Sequence, residues 1–102
     1  MTSTRPADPG APTVSVVVVT WNCRDAVLRC IASLQAGATS LPWELIVVDN
    51  ASGDGTVEAV RGAAPEARVI ANRTNRGLAA ANNQGMLAGR GEMFLISNPD
   101  VI

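Results

Sequence analysis

Four apolar runs in this chain each end in residues that can bind or ligate. The ends are Thr20-Trp21-Asn22, Asp49-Asn50-Ala51-Ser52, Asn72-Arg73-Thr74-Asn75 and Asn98-Pro99-Asp100. The Asp49 carboxylate can accept the N3–H of uracil or thymine, whereas cytosine and adenine present an acceptor at the corresponding ring position. Asn50 adds an amide beside it, and Trp21 offers a flat apolar face for a stacked base. Asp100 supplies the hard oxygen that Mg²⁺ and Mn²⁺ prefer, and a metal held there would bridge a diphosphate. Each cluster also has a plainer reading. Asp49 and Asn50 suit a turn in "DNASGDG", Trp21 suits a cover over a sheet edge, and Asn-Pro-Asp suits a turn after a strand.

The elements that must position these residues alternate. "VSVVVVT" (14–20) and "ELIVVDN" (44–50) are β-branched and unbroken, the pattern of strands buried on both faces. "ARVIAN" (67–72) and "EMFLIS" (92–97) are the third and fourth strand candidates. Between the first two, Val27, Leu28, Ile31 and Leu34 make one helical stripe with Cys30 beside it. Asn22 is the expected cap of that helix, Asp25 suits its first turn and Gly37 its end. A second, shorter helix follows Asp54 as cap, with Val57 and Val60 facing inward. A third is alanine-rich, with Leu78, Met86 and Leu87 as its expected anchors and Gly85 as a weak point. The order βαβαβαβ predicts an α/β domain: an open, mostly parallel sheet with right-handed helical crossovers. Ligands of such sheets bind beyond the carboxyl ends of the strands, where all four polar clusters then stand.

Composition narrows the function. The chain has 102 residues, net charge −1 and no basic cluster, which disfavours nucleic acid as a partner. Residues 1–13, with three prolines and no apolar period, read as a disordered lead-in. No secretory signal and no stretch approaching the roughly 20 apolar residues of a membrane span is present, which points to the cytosol. There is no histidine, so a zinc site at Cys23 or Cys30 is improbable. Cys30 is expected in the core, and Cys23 as an ordinary helix-start residue. The first strand runs into "TWNCRD" without a glycine, and no Walker A loop exists, so the usual dinucleotide and ATP cradles are disfavoured.

Taken together, "VSVVVVTWNCRDAVLRCIASL", "WELIVVDNASGDGTVEAV", "VIANRTNRGLAAANNQGM" and "GEMFLISNPDVI" resemble the inverting family 2 glycosyltransferases of GT-A fold. The forms "NRGLAAANNQG" and "NPD" are most similar to a bacterial, rhamnosyltransferase-like subset that builds cell-surface polysaccharide. The resemblance covers residues 14–102. It implies that Thr20, Trp21 and Asn22 meet the base, and that Asp49 and Asn50 bind it. Gly77, Asn82 and Asn83 would line the nucleotide-sugar site. Asn98 to Asp100 would stand at the Asp-x-Asp motif, with Asp100 on a divalent Mg²⁺ or Mn²⁺. Two residues depart from the pattern: Asn50, where many relatives have Asp, and Asn98, which leaves one carboxylate for the metal.

The implied donor is a UDP- or dTDP-sugar and the implied acceptor a glycan or a lipid-linked glycan. Such an enzyme would work in the cytosol or at the inner face of the membrane. No carboxylate here matches the base that an inverting transfer needs. Residues 14–102 therefore read as the N-terminal half of the transferase domain, truncated and inactive alone. The alternative is a non-catalytic interaction module, or a pseudoenzyme remnant, that uses an exposed sheet edge. In the family's strand order the apolar "MFLI" strand lies at that edge, where self-association is expected.

Overall fold

The computed structural model describes residues 12–37 and 42–97. Seven elements follow one another: β1 (Val14–Thr20), α1 (Arg24–Ala36), β2 (Trp43–Asp49), α2 (Thr56–Ala63), β3 (Arg68–Ala71), α3 (Leu78–Ala88) and β4 (Met93–Ser97). The strands form one parallel sheet in the order β3-β2-β1-β4. This is the open α/β architecture expected from the alternation. Of the expected lead-in, residues 1–11 lie outside the described residues. Pro12 is buried, and the Thr13 N–H donates to the Pro42 carbonyl, so the sheet is already being built there.

Unbroken valine runs work because both faces of the sheet are covered. Val16, Val18, Leu45 and Val47 point to one face, where they pack with Val27 and Ile31 of α1 and Val60 of α2. Val19, Ile46 and Val48 point to the other, where they meet Ala81 of α3. Helices α1 and α2 thus share one face, and α3 crosses the opposite face on its way to β4. Strand order therefore reverses between β1 and β4, the kind of switch point at which open α/β sheets bind ligands.

The third helix departs from expectation. Leu78, Met86 and Leu87 are not its anchors: they are exposed, Leu87 at 88%. The residues that face the sheet are Ala81 and Gly85. A Cβ on Gly85 would stand 2.2 Å from Val17 Cγ1, so the helix rests on the sheet through a residue with no side chain. Gly85 is the contact, not a weak point. Close approach leaves no room for large side chains beneath the helix, and they turn outward.

Four local expectations also change. Asn22 does not cap α1; the cap position is Cys23, whose side chain does not bond the N–H groups of the helix start, while Asn22 sits at φ 48° and bonds elsewhere. In α2 the buried first-turn residue is Thr56, and Val57 is only half-buried. Cys30 is half-buried rather than in the core, with Sγ 3.9 Å from Ser97 Oγ. β3 is shorter than 67–72, at Arg68–Ala71. Gly37 does end α1, its N–H returning to the Ser33 carbonyl. Along β4, Met93, Phe94, Leu95 and Ile96 are 39–52% exposed, as an edge strand should be. No helix among the described residues is long and apolar enough to cross a membrane.

Candidate functional site

The carboxyl ends of β1 and β2 are joined side by side. Thr20 and Asp49 are lateral partners, and the next backbone N–H, of Asn50, donates to the Thr20 carbonyl at 2.8 Å. Both side chains are buried. Thr20 Oγ1 donates to Asp49 Oδ1 at 2.7 Å; Ser52 Oγ donates to the same oxygen at 2.6 Å and Ser52 N–H to Oδ2 at 2.9 Å. Three donors hold the carboxylate in one orientation, and charge-assisted bonds of this kind are the strong ones. Among the described residues Oδ2 carries a single bond, so it retains capacity to accept from a ligand.

Ser52 reaches further. Its Oγ accepts the Asn22 N–H at 2.8 Å, while Asn22 Oδ1 accepts the Gly53 N–H at 2.7 Å. The loops after β1 and β2 are therefore laced together across the rim. This lacing accounts for the left-handed backbone at Asn22, a conformation Asn tolerates better than most residues. Trp21, between these fixed neighbours, is 50% exposed. Asp54 fastens the same loops from outside: Oδ2 accepts the Arg24 N–H at 3.1 Å and Oδ1 the Thr56 N–H at 3.2 Å. One carboxylate thus serves the first turns of both α1 and α2, where the helix dipoles favour it. The Thr56 hydroxyl, foremost, and these N–H donors hold Asp54 below the ordinary carboxylate range.

The other expected residues fall into different places. Asn50 is buried, its carboxamide oxygen accepting from Asn72 and Arg76 and its NH₂ donating to Gly77. Gly77 is exposed at φ 86° and stands at the start of α3. Asn83 is exposed on that helix. Asn82 is half-buried, and its Oδ1 is enclosed without a hydrogen-bond partner among the described residues. Asn98 and Asp100, with the expected metal position, lie outside the described residues. The described chain reaches Ser97, opposite Val18 on β1 and two positions short of Thr20. No group of three acidic, Cys or His side chains that could hold a metal exists among the described residues.

Sequence reasoning named Ser52 at the end of the second strand without giving it a role, and passed over Gln84. The signal for Ser52 was present, since Asp49-Asn50-Ala51-Ser52 has the spacing at which an Asp side chain accepts the N–H of a nearby following residue. Gln84 had no such signal, because its partner Asn72 lies on another element.

An open parallel α/β sheet with a laced polar rim at the carboxyl ends of its strands is the class that this geometry defines. The model of glycosyl transferase family 2 matches residues 15–102, and the chain belongs to that family. It is 37% identical over 98 residues to the succinoglycan biosynthesis protein ExoO of Rhizobium meliloti, covering 93% of this chain and 27% of that protein. It is 33% identical over 99 residues to the glycosyltransferase Rv1514c of Mycobacterium tuberculosis, covering 90% of this chain and 38% of that one. Among solved structures it is similar to the mannosyltransferase PcManGT of Pyrobaculum calidifontis in complex with GDP-Man and Mn²⁺. There the TM-score is 0.76 and the identity 30%, covering 88% of this chain and 28% of the other. TarS residues 1–349 of S. aureus, in complex with UDP, gives a TM-score of 0.72 at 28% identity, covering 86% and 27%. The sheet and helices are thus those of the GT-A glycosyltransferases. The chain spans well under half the length of these relatives.

Proposed function

We propose that this rim binds the nucleoside diphosphate of a sugar donor, and that it serves an inverting transfer from a UDP- or dTDP-sugar to a glycan or lipid-linked acceptor. The observation that carries the reading is the pairing of Thr20 with Asp49 at the carboxyl ends of β1 and β2, next to the strand-order reversal between β1 and β4, with Asp49 clamped and Trp21 exposed beside it. Asp49 Oδ2 would accept the ring N3–H and Trp21 would stack on the base. Asn82, whose enclosed oxygen has no partner among the described residues, supports a ligand along α3. The complexes of PcManGT with GDP-Man and Mn²⁺ and of TarS with UDP support the same ligand class. ExoO, a succinoglycan biosynthesis protein, favours a polysaccharide acceptor.

Asn98 and Asp100, which follow directly on Ser97, would hold Mg²⁺ or Mn²⁺. Their oxygens are of the hard type such ions take, and one carboxylate with phosphate oxygens is a common Mg²⁺ arrangement. The metal would neutralise charge on the departing diphosphate. Asp49 and Asp54, the described carboxylates at the rim, are held by internal bonds, so neither is assigned as the base. On this reading the chain by itself binds donor without transferring the sugar. Titration calorimetry with UDP, dTDP and GDP, each with and without Mn²⁺, tests the proposal. Saturable heat with a uridine or thymidine diphosphate supports it, and no heat with any of them at millimolar concentration refutes it.

A second reading has one observation in its favour: β4 is an apolar, half-exposed edge strand. Such an edge pairs with other strands, and a second copy of the chain is the proposed partner. Sedimentation velocity across concentrations tests this, and a monomer at every concentration would refute it.

A further inference from the structure

We infer that Gln84, Asn72 and Asn50 form a positioning relay that sets the loop between β3 and α3 for nucleotide binding. The inference rests on the reading of the rim given above and adds residues that need not touch the ligand.

Three carboxamides stand in series. Gln84 Nε2 donates to Asn72 Oδ1 at 2.9 Å, and Asn72 Nδ2 donates back to Gln84 Oε1 at 2.8 Å. The same Asn72 Nδ2 donates to Asn50 Oδ1 at 3.0 Å. That oxygen also accepts the Arg76 backbone N–H at 3.3 Å, while Asn50 Nδ2 donates to the Gly77 carbonyl at 3.2 Å. The two backbone groups dictate the polarity of the whole chain. A carbonyl can only accept, so Asn50 must turn its NH₂ to Gly77. A peptide N–H can only donate, so the Asn50 oxygen must face Arg76. Asn72 must then offer NH₂ to Asn50, and Gln84 must present its oxygen to that NH₂ and its own NH₂ to Asn72 Oδ1. One arrangement satisfies every group.

This explains why an amide occupies position 50. A carboxylate there would keep the bonds from Asn72 and Arg76 but set an oxygen against the Gly77 carbonyl. The loop depends on these contacts. Arg73, Thr74, Asn75, Arg76 and Gly77 are all exposed. Beyond the relay, the described side-chain bond in the loop is local, from Gly77 N–H to Asn75 Oδ1 at 2.8 Å. The Asn72 N–H anchors the loop's start to the Asp49 carbonyl at 2.8 Å. Asn50 therefore ties the far end of the loop to the strand that carries Asp49, and Gln84 acts through Asn72 to hold Asn50 in its orientation.

The test is Gln84→Met in the full chain, which preserves length and removes both amide bonds. Two quantities are read: the exchange rate of the Arg76 backbone N–H by NMR, and the affinity for UDP with Mn²⁺ by calorimetry. Arg76 exchange is expected to rise about tenfold and UDP affinity to fall about tenfold, the effect of roughly one hydrogen bond each. Asn50→Leu, which removes the acceptor of the Arg76 N–H itself, is expected to exceed Gln84→Met on both scales, and it decides the matter should Gln84→Met fail to fold. Unchanged Arg76 exchange in the folded variants overturns the relay, and so does a loss of affinity without faster exchange. If the unaltered chain binds no UDP, the nucleotide reading falls, while Arg76 exchange still decides whether the relay sets the loop.

Discussion

Gly85→Ala adds one methyl group and probes how α3 is seated. In a solvent-facing helix the change would stabilise by about 1 kcal/mol, because alanine is the better helix former. Here the new Cβ would lie 2.2 Å from Val17 Cγ1, 3.2 Å from Cγ2 and 3.3 Å from Cβ. Carbon atoms pack at about 3.5 Å, so something must move by roughly 1.3 Å. Rotating Val17 does not clear the space, since both methyls and the Cβ itself are close. Val17 is fully buried in a central strand, so the helix must lift instead. Overpacking of this kind costs roughly 1–3 kcal/mol, leaving a net loss of about 1 kcal/mol and a melting point about 4–8 °C lower. Thermal unfolding by circular dichroism measures it. In a Val17→Ala background the same Gly85→Ala change should turn neutral or stabilising, because the methyls it meets are gone. A gain of the full helix-propensity increment in the unaltered background would refute the close seating of α3.

Two further outcomes are expected. Thr20→Val removes the hydroxyl that donates to Asp49 Oδ1 and should cost about 1–2 kcal/mol by urea unfolding, since a buried acceptor loses a partner. Glu44 gives the fold an acid-sensitive point. Burial pushes its pKa up, but the Arg90 N–H, the Ser15 hydroxyl and the Arg90 and Arg68 charges outweigh burial, so the net shift is below the ordinary 4.5. A depressed folded-state pKa contributes stability that is whole above the unfolded value and is lost as pH falls through the folded one. Glu44→Gln should therefore flatten the fall in stability below about pH 4.5, as followed by urea midpoints from pH 3 to 7; an unchanged acid limb would contradict the assignment.

Much of the architecture was legible in the residues. β1 and β2 declared themselves because both faces of a central parallel strand are covered, so their valines need not alternate. The edge position of "MFLI" followed from the strand order that the resemblance implied. What misled was α3. Leu78, Met86 and Leu87 carry the largest apolar side chains on that helix, yet contact belongs to Ala81 and Gly85 because the helix lies too close for anything larger. Size predicts anchors only where the gap between layers is known.

The site was legible in part. Thr20, Trp21 and Asp49 stand together because they end neighbouring strands: the alternation implied a shared edge, and the strand order of the resemblance made the two strands neighbours. The work of Asn50 and Gln84 was hidden, because their partners lie on separate loops and helices and the sequence carries no marker of which amides will meet. Asn22 looked like a cap by type and position, but its amide was claimed by Gly53 across the rim.

In the proposed function, Trp21 and Asp49 frame the place where a nucleotide sits. Trp43→Phe leaves Trp21 as the only indole in the chain, exposed at the rim. Titrating that variant with UDP and Mn²⁺ should quench Trp21 emission along a saturating curve, and Asp49→Asn should weaken the response. Emission unmoved by millimolar UDP and Mn²⁺, in a protein shown to be folded, would contradict the account.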